Sequence, residues 1–314
     1  MIAVCLSIYN GENFLRQQFK SIENQIYDLS KIILIVRDDG SNDKSYEILQ
    51  DFANNTTLNI KILQNRKNFG VKKSFEILMN TALEINAQYI MFCDQDDVWN
   101  PNKIEKTYLE MKEQEHLNGE NISILIHSNM SVVDRSLKII SSSFWKYQNI
   151  NPSRDKLNHL LLHNVVTGCT IMVNRALAEK VKNIPQEAIM HDWWIAMVAS
   201  AFGKIVYKNE SLMLYRQHSS NDTGAKKYGL KYIINRLFIK ISTGKFTSQL
   251  DKYIIQAQQF LVIYEHDLDN ESKKMLQDFS RFPILNKWQK IVVLFKYKIW
   301  KNGFMRNLGL ILFI

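Results

Sequence analysis

Short apolar runs alternate with amphipathic stretches along most of the chain, and the alternation is clearest near the N-terminus. The apolar runs predict four buried strands, at residues 3–9, 31–36, 59–64 and 89–93. Apolar side chains at helical spacing predict three helices between these strands, at residues 12–25, about 43–52 and 71–85. Strands and helices that alternate in this way indicate βαβ units, so we expect an α/β fold with a mostly parallel sheet.

The pattern continues less regularly to about residue 222 and is helical beyond it. Further strands are predicted at residues 122–126, 165–173 and 204–208. Residues 141–158 are rich in Ser and Asn and are predicted to form a loop, and a helix is predicted from His191 to Phe202. Gly168 interrupts one predicted strand, which suggests a bulge or a close approach by a ligand.

Polar turns follow three of the predicted strands at their carboxyl ends, which is where open α/β sheets bind ligands. The first turn contains Tyr9, Asn10 and Gly11, and the second contains Asp38 and Asp39. A carboxylate in the second turn can accept the imide N–H of uracil or thymine, although a helix-capping turn explains the same residues. No G-x-G-x-x-G segment follows the first strand, which speaks against a dinucleotide dehydrogenase.

The third turn holds three carboxylates, Asp94, Asp96 and Asp97, directly after a buried strand. Isolated buried carboxylates are costly unless they are paired or bind a metal. We therefore predict a divalent cation, Mg²⁺ or Mn²⁺, with oxygen ligands from this cluster and from a diphosphate. Such an ion neutralises the charge that develops on a leaving diphosphate. A capped turn with solvated acids is the alternative interpretation.

Further candidate groups occur in the second half of the chain. Asp192 opens the predicted helix there and is a candidate general base for a sugar hydroxyl, the alternative being a helix cap. The neighbouring Trp193 and Trp194 suggest an aromatic floor for a sugar ring. Arg216 is a candidate contact for phosphate oxygens, and His218 is a candidate ligand of the metal or the diphosphate.

Charge is distributed unevenly along the 314 residues, which carry a net charge of +9. Residues 223–314 hold 16 lysines and arginines and 6 acidic residues, whereas residues 1–222 hold 24 and 25. We therefore divide the chain into a nearly neutral domain, 1–222, and a basic, mostly helical C-terminal region, 223–314. No apolar run is long enough to predict a transmembrane helix. Three cysteines in apolar runs fit a reducing cytosol.

Five short motifs together resemble those of the family 2 glycosyltransferases of the GT-A fold. They are Ser7-Ile-Tyr-Asn-Gly11, Asp38-Asp-Gly-Ser41, Phe92-Cys-Asp-Gln-Asp-Asp-Val-Trp99, His191-Asp-Trp193 and Tyr215-Arg-Gln-His218. The third motif is similar to that of the rhamnosyltransferase-like branch, which builds bacterial surface polysaccharides. The resemblance covers residues 1 to about 222 and implies a GT-A-type nucleotide-binding sheet flanked by helices.

The resemblance also implies roles for the candidate residues. Those expected to bind the nucleotide sugar are Tyr9, Asn10, Asp38, Asp39, Asp94 and Arg216. Those expected to bind the metal are Asp94, Asp96 and His218. Asp192 matches the catalytic base, and the residues expected on the acceptor side are Asp97, Trp99, Trp193 and Trp194. The implied reaction is an inverting, metal-dependent transfer of a sugar such as rhamnose from a UDP- or dTDP-linked donor to a growing, lipid-linked surface glycan.

Two other functions are compatible with parts of the pattern. A sugar-1-phosphate nucleotidyltransferase would need a glycine-rich loop with basic residues after the first strand, and residues 9–13 contain none. A non-catalytic glycan- or membrane-binding module of the same fold would not need to retain every acidic position.

The basic C-terminal region predicts docking on an anionic membrane. Residues 232–239 and 288–300 mix cations with bulky apolar side chains, as membrane-surface helices do. A helical cap with a solvated basic face is the alternative, and no recognised nucleic-acid module accompanies the charge. We therefore expect a cytoplasmic protein that is peripheral on the inner face of the cell membrane and binds no nucleic acid.

Overall fold

The computed structural model describes residues 1–65, 67–218, 224–225, 227–229 and 245–314. Strands β1–β9 lie at Ile2–Ile8, Ile32–Asp39, Asn59–Asn65, Tyr89–Asp94, Val98–Trp99, Ser123–Val133, Ile139–Ser141, Ile171–Asn174 and Gly203–Arg216. Helices α1–α8 lie at Leu15–Glu23, Ser45–Asn55, Val71–Glu84, Lys103–Asn118, Phe144–Gln148, Leu157–Leu160, Arg175–Val181 and His191–Phe202. The C-terminal helices α9–α12 lie at Lys245–Tyr264, Asn270–Ser280, Lys287–Lys296 and Phe304–Phe313. The predicted apolar and basic stretch 232–239 lies outside the described residues.

The strands of the described part of the chain form one nine-stranded mixed sheet. Their order is β3-β2-β1-β4-β8-β6-β9-β5, and β7 pairs with β6. The four strands β3, β2, β1 and β4 are parallel to one another, whereas β8 is antiparallel to both β4 and β6. The predicted α/β class is confirmed, and the half of the sheet beyond β4 is mixed rather than parallel.

The central strands are buried on both faces, which explains their nearly continuous apolar runs. In β1, Ala3 and Cys5 point into one apolar cluster, and Ile2, Val4 and Leu6 point into the other. Because side chains alternate between faces along a strand, one short run supplies both clusters. Helices α3, α7 and α8 cover the first face, and α1, α2 and α4 cover the second.

The C-terminal helices pack on the first face rather than forming a separate core. The Trp194 ring of α8 lies 5.3 Å from the Phe260 ring of α9. Phe279 of α10 and Leu294 of α11 are fully buried in the same apolar cluster. Residues 245–314 of the basic region are therefore mostly helical and attached to the sheet domain, while the predicted boundary near residue 222 falls among residues that are not described.

Three predicted elements differ from the structure, because the polar residues in these segments do not show whether the segment is a strand, a helix or a loop. Strand β6 extends far beyond residue 126, since its polar residues His127, Ser128 and Asn129 are buried. The predicted loop 141–158 contains α5, which the Ser143 side chain caps by accepting from the Lys146 N–H at 3.2 Å. The predicted strand 165–173 is mostly irregular and becomes extended only at β8, after a 3₁₀ turn at Gly168–Thr170.

Candidate active site

The turns after β1 and β2 are tied together by hydrogen bonds from backbone N–H groups. The N–H of Asn10 donates to Oγ of Ser41 at 3.0 Å, and the N–H of Gly11 donates to Oγ of Ser45 at 2.7 Å. The Tyr9 side chain stays 44% exposed at this edge. The structure thus brings the first two predicted turns together and leaves an aromatic ring accessible beside them.

Gln95 connects the turn after β1 to the acidic turn after β4. Its Nε2 donates to the Tyr9 carbonyl, and its Oε1 accepts from the Tyr9 N–H, both at 2.8 Å. A Cβ atom at position 11 would lie 2.3 Å from Gln95 Oε1, so this close approach requires Gly11. Gln95 was not among the predicted site residues, although it lies inside the acidic motif.

The carboxylates of Asp38 and Asp39 already have partners within the protein. Oδ1 of Asp38 accepts from the hydroxyl of Ser41 at 2.6 Å. Asp39 is 2% exposed and accepts from the Arg37 guanidinium at 2.8 Å and from the Gly70 N–H at 2.8 Å. These contacts agree with the turn-capping interpretation, and a pyrimidine contact by either carboxylate stays a prediction.

Asp94 and Asp97 form a compact acidic pair with the thiol of Cys169. Each residue places one ligand atom within 4.8 Å of the others. Asp97 is fully buried, and its Oδ1 accepts from the Arg216 N–H at 3.2 Å. Its buried Oδ2 makes no well-formed hydrogen bond within the described ranges. The prediction that Asp97 lies on the acceptor side is therefore wrong, because no acceptor can reach it.

A buried lysine lies beneath the acidic pair and was missed by the sequence analysis. Lys103 is fully buried, donates to the Cys169 carbonyl, and places its ammonium 4.0 Å from the centre of the Trp99 ring. Burial raises the pKa values of Asp94 and Asp97, and the positive charge of Lys103 opposes this rise. A lysine in the first turn of a helix is normally exposed, so the sequence carried no signal for this role.

Burial dominates the protonation of the acidic pair. It raises the pKa of Asp94 to about 7, and the negative charges of Asp96 and Asp192 add to this effect. Burial also raises the pKa of Asp97 well above its usual range. The Gly168 N–H donates to Asp192, and the thiol of the next residue, Cys169, lies within 4.8 Å of Asp94 and Asp97, so the predicted base lies near the acidic turn.

Asp96 and His218 pair at the more open side of the acidic turn. Nε2 of His218 and Oδ2 of Asp96 are 2.7 Å apart, and both side chains are partly exposed. The His218 ring stacks on Phe14 at a centroid distance of 4.5 Å, which orients the imidazole toward Asp96. The structure therefore brings these two predicted metal ligands together across more than a hundred residues of sequence.

The Arg216 side chain makes hydrogen bonds within the protein that hold the acidic turn. It is 2% exposed, and its Nε donates to the Asp96 carbonyl at 2.8 Å. Its two terminal nitrogens donate to the Arg135 carbonyl at 2.8 Å and to Oε1 of Gln17 at 2.6 Å. These contacts fasten the acidic turn, and a phosphate contact by Arg216 stays a prediction.

The side chains present suit a hard divalent cation. Asp94, Asp96 and His218 offer carboxylate oxygens and an imidazole nitrogen, which Mg²⁺ and Mn²⁺ accept as ligands. Burial raises the pKa of the Cys169 thiol well above its usual range, so the sulfur keeps its proton and is a poor ligand for such ions. The chemistry of the three predicted ligands therefore suits such an ion, and their joint binding of one metal stays a prediction.

Asp192 lies at the start of α8 and is held by backbone donors. Its Oδ2 accepts from the Gly168 N–H at 3.0 Å, and its Oδ1 accepts from the Trp193 N–H at 2.6 Å. Burial raises the pKa of Asp192 to about 6, against the opposing effect of these hydrogen bonds. A carboxylate with this pKa is ionised at neutral pH and is still basic enough to accept a proton.

The aromatic residues predicted on the acceptor side are mostly buried. Trp194 is fully buried against the C-terminal helices, and Trp99 is 2% exposed under the Lys103 ammonium, so neither can contact a sugar. Both predictions are wrong, since these indoles belong to the apolar core. Trp193 is partly buried and donates from Nε1 to the Leu160 carbonyl at 2.6 Å, which leaves its role on the acceptor side a prediction.

The match to a known family decides the class of this protein. The model of glycosyl transferase family 2 matches residues 3–181, which is more than half of the chain. The chain belongs to glycosyl transferase family 2. This membership confirms that the protein is a glycosyltransferase, and it removes the nucleotidyltransferase and the non-catalytic module as alternatives.

Two curated relatives are named for specific sugar transfers. The dTDP-rhamnosyl transferase RfbG of Shigella flexneri is 26% identical over 70% of this chain and 74% of its own. WfgD of Escherichia coli, named a UDP-Glc:alpha-D-GlcNAc-diphosphoundecaprenol beta-1,3-glucosyltransferase, is 26% identical over 56% of this chain and 61% of its own. Both names describe sugar transfer from a nucleotide-linked donor.

A solved structure supports the GT-A-like fold over nearly the whole chain. The mannosyltransferase PcManGT from Pyrobaculum calidifontis, in complex with GDP-Man and Mn²⁺, superposes with a TM-score of 0.54. It is 14% identical to this chain, and the match covers 99% of this chain and 78% of PcManGT. Within the described residues, no helix combines the length and the apolar character needed to cross a bilayer.

Proposed function

We propose that the protein is an inverting, metal-dependent glycosyltransferase that moves a sugar from a UDP- or dTDP-linked donor to a lipid-linked glycan. One observation carries the proposal: Asp192 accepts a hydrogen bond from Gly168, and the adjacent Cys169 contacts the acidic turn that follows β4 at the carboxyl edge of the parallel strands. An acceptor hydroxyl needs a base, and a nucleoside diphosphate needs charge neutralisation before it leaves. The two groups supply these two requirements separately.

In the proposed reaction, Asp192 removes the proton of the acceptor hydroxyl as its oxygen forms a bond to the anomeric carbon. The bond from this carbon to the donor diphosphate breaks, and its electron pair stays on the leaving oxygen. Mg²⁺ or Mn²⁺, held by Asp94, Asp96 and His218, would neutralise the charge of the diphosphate. Single displacement inverts the anomeric configuration, and the second carboxylate that a covalent route requires is not needed.

The donor is proposed to be a pyrimidine nucleotide sugar. Tyr9 provides an exposed ring next to the turn that carries Asp38 and Asp39. The relative RfbG is named for dTDP-rhamnose transfer, which makes rhamnose the first sugar to test. The names of WfgD and PcManGT include UDP-Glc and GDP-Man, so the family resemblance alone does not select the base.

The acceptor is proposed to be carried by a membrane lipid, with the protein on the cytoplasmic face of the membrane. The name of WfgD includes a diphosphoundecaprenol-linked acceptor. The basic C-terminal region supports a location at the surface of an anionic membrane, because its excess of cations is attracted to anionic lipids.

A donor panel tests the proposal directly. Purified protein is incubated with UDP-, dTDP- and GDP-linked sugars, in Mn²⁺ or in chelator, and the released nucleoside diphosphate is measured. We expect Mn²⁺-dependent release from at least one pyrimidine donor, and transfer to a polyprenyl-diphosphate sugar with inversion when the anomeric configuration is read by NMR. Retention of configuration, or full activity in chelator, would contradict the proposed mechanism.

A further inference from the structure

Helices α11 and α12 expose large apolar side chains to water. On α11, Trp288, Val292 and Phe295 are 77%, 63% and 61% exposed and follow one another at helical spacing. On α12, Phe304 and Leu312 are 79% and 56% exposed. A concentration of exposed aromatic and aliphatic side chains on a soluble domain marks a surface that contacts another apolar phase.

The start of α11 contacts the end of α12. Nζ of Lys287, at the start of α11, donates to the carbonyl of Leu312, near the end of α12, at 3.0 Å. At the other end of α11, the Phe295 ring packs edge-on against Trp300 at 4.9 Å. We call this surface the C-terminal apolar face and define it by Trp288, Val292, Phe295, Phe304, Leu308 and Leu312.

The charge around this face is mostly positive, although Asp278 at the end of α10 pairs with Lys296 at 3.1 Å. Residues 279–314 contain seven lysines and arginines and no aspartate or glutamate. Those that are exposed are Arg281, Lys287, Lys296 and Lys298. A second copy of the chain would place the same cations opposite one another, whereas an anionic lipid surface attracts all of them. The combination of lysine with exposed tryptophan and phenylalanine is typical of helices that lie in a membrane interface.

Residues 297–306 are hydrogen-bonded to residues 148–158, which precede the proposed base in the sequence. Arg306 of α12 donates to the carbonyls of Asn149 and Gln148 at 2.9 and 2.8 Å. Nδ2 of Asn158 donates to the Tyr297 carbonyl, after α11, at 3.0 Å. The chain continues from this loop to residue 164, whose side chain hydrogen-bonds Asp192. A membrane bound at the face would therefore be held in a fixed relation to the acceptor side of the site.

We propose that the C-terminal apolar face docks the protein on an anionic lipid bilayer, with its aromatic and aliphatic side chains inserted among the headgroups and its cations against lipid phosphates. This docking adds a membrane-binding surface to the proposed function. It rests on that function only for its purpose, which is to bring the protein to a lipid-linked acceptor. It also narrows the predicted membrane-binding region to two helices of the chain.

Vesicle binding tests the proposal on the full chain. Co-sedimentation is measured with phosphatidylcholine vesicles, with and without about 30% phosphatidylglycerol, at about 0.05 M and about 0.5 M salt. We expect binding to the anionic vesicles at low salt and weaker binding at high salt. The variant Trp288→Ser/Phe295→Ser/Phe304→Ser is expected to bind at least about tenfold more weakly, because it removes exposed apolar area that would be buried in the interface.

Matched controls test whether vesicle binding depends on the C-terminal apolar face or on exposed apolar and basic side chains in general. Ile26→Ser/Leu109→Ser/Leu117→Ser removes three exposed apolar side chains elsewhere and is expected to bind like the wild type. For charge, a triple glutamine variant at Arg281, Lys287 and Lys298 is expected to lose roughly 10²-fold in affinity. A glutamine variant at the exposed residues Lys20, Lys31 and Lys61 is expected to lose much less.

Three results would overturn the proposal. The first is a full chain that stays in the supernatant with anionic vesicles at low salt, and the second is equal binding by the serine variant of the face and its control. The third is a concentration-dependent dimer that the face variant alone abolishes and that does not bind vesicles, since the face would then join two copies. Donor hydrolysis is measured on all variants in detergent-free buffer, so a failed donor reaction is distinguishable from failed docking.

Discussion

The backbone N–H of Gly168 donates a 3.0 Å hydrogen bond to Oδ2 of Asp192. The contact depends on the absence of a side chain at position 168. A Cβ atom there would lie 2.8 Å from Nε2 of His191 and 3.5 Å from Cβ of Asp192. The His191 ring has little room to move, because it is buried and packs on Phe75 at a centroid distance of 4.3 Å. Gly168 therefore positions the proposed base.

Gly168→Ala is expected to lower turnover at least tenfold while donor affinity stays within about twofold, because the overpacked methyl displaces α8 and its carboxylate. Overpacking of this kind costs about 1–3 kcal/mol of unfolding free energy. Steady-state kinetics and thermal unfolding measure the two effects. Gly309→Ala is the control, since a Cβ atom there meets nothing within 4 Å. Wild-type turnover in the Gly168 variant would remove this positioning role.

Asp192→Asn is expected to leave donor binding largely intact and to lower turnover by about 10²-fold or more, the usual scale for a lost general base. The amide keeps the shape of the carboxylate but cannot take a proton. Isothermal titration with the donor and a transfer assay separate binding from chemistry. Asp51→Asn changes an exposed carboxylate paired with Arg16 and serves as the control. Near-normal transfer by the Asp192 variant would exclude this residue as the base.

The pH dependence of turnover follows from the raised pKa of Asp192, which is about 6. The base acts in its ionised form, so kcat is expected to fall about tenfold per pH unit below this value and to level off above pH 7. Because Asp192 must be deprotonated to act as a base, kcat decreases as the pH falls through this pKa. The measurement is kcat from pH 4.5 to 8.5 at saturating donor and acceptor. A profile without an acidic limb would speak against this assignment.

The strands of the parallel half of the sheet were predictable because their apolar runs are short, continuous and bounded by polar turns. The predicted turns at Tyr9, Asp38 and Asp94 do meet at one edge, as parallel pairing requires. The role of Arg216 was not predictable, since its partners Gln17 and Arg135 are distant in sequence. Tryptophans in a motif also give no indication of which face of an element they occupy, so their burial was missed.

Asp96→Asn is expected to abolish Mn²⁺-dependent donor binding, because it removes the carboxylate that pairs with His218 at 2.7 Å. The donor affinity is measured by thermal shift or calorimetry, with Mn²⁺ and with chelator. We expect the wild type to bind the donor more tightly with Mn²⁺ than with chelator, and we expect no such difference in the variant. Asp134→Asn, in an exposed turn after β6, is the control. An unchanged Mn²⁺ effect in a folded Asp96 variant would exclude this ligand.

Arg216→Lys distinguishes a structural arginine from a phosphate-binding one. Lysine keeps the positive charge but cannot reach the Asp96 carbonyl, the Arg135 carbonyl and Gln17 at once, so buried acceptors lose their donors. Each buried group left unsatisfied costs about 1–3 kcal/mol. We therefore expect the ligand-free protein to unfold at a temperature lower by roughly 2–8 °C.

The matched control for this variant is Arg16→Lys, which alters an exposed ion pair with Asp51 and is expected to change the midpoint by less than about 1 °C. Differential scanning calorimetry without donor or metal measures both variants. If Arg216→Lys left the midpoint unchanged and weakened only donor binding, the guanidinium would contact the diphosphate after all. A lowered midpoint without ligand assigns Arg216 to the support of the acidic turn, because a phosphate contact cannot stabilise a protein that holds no phosphate.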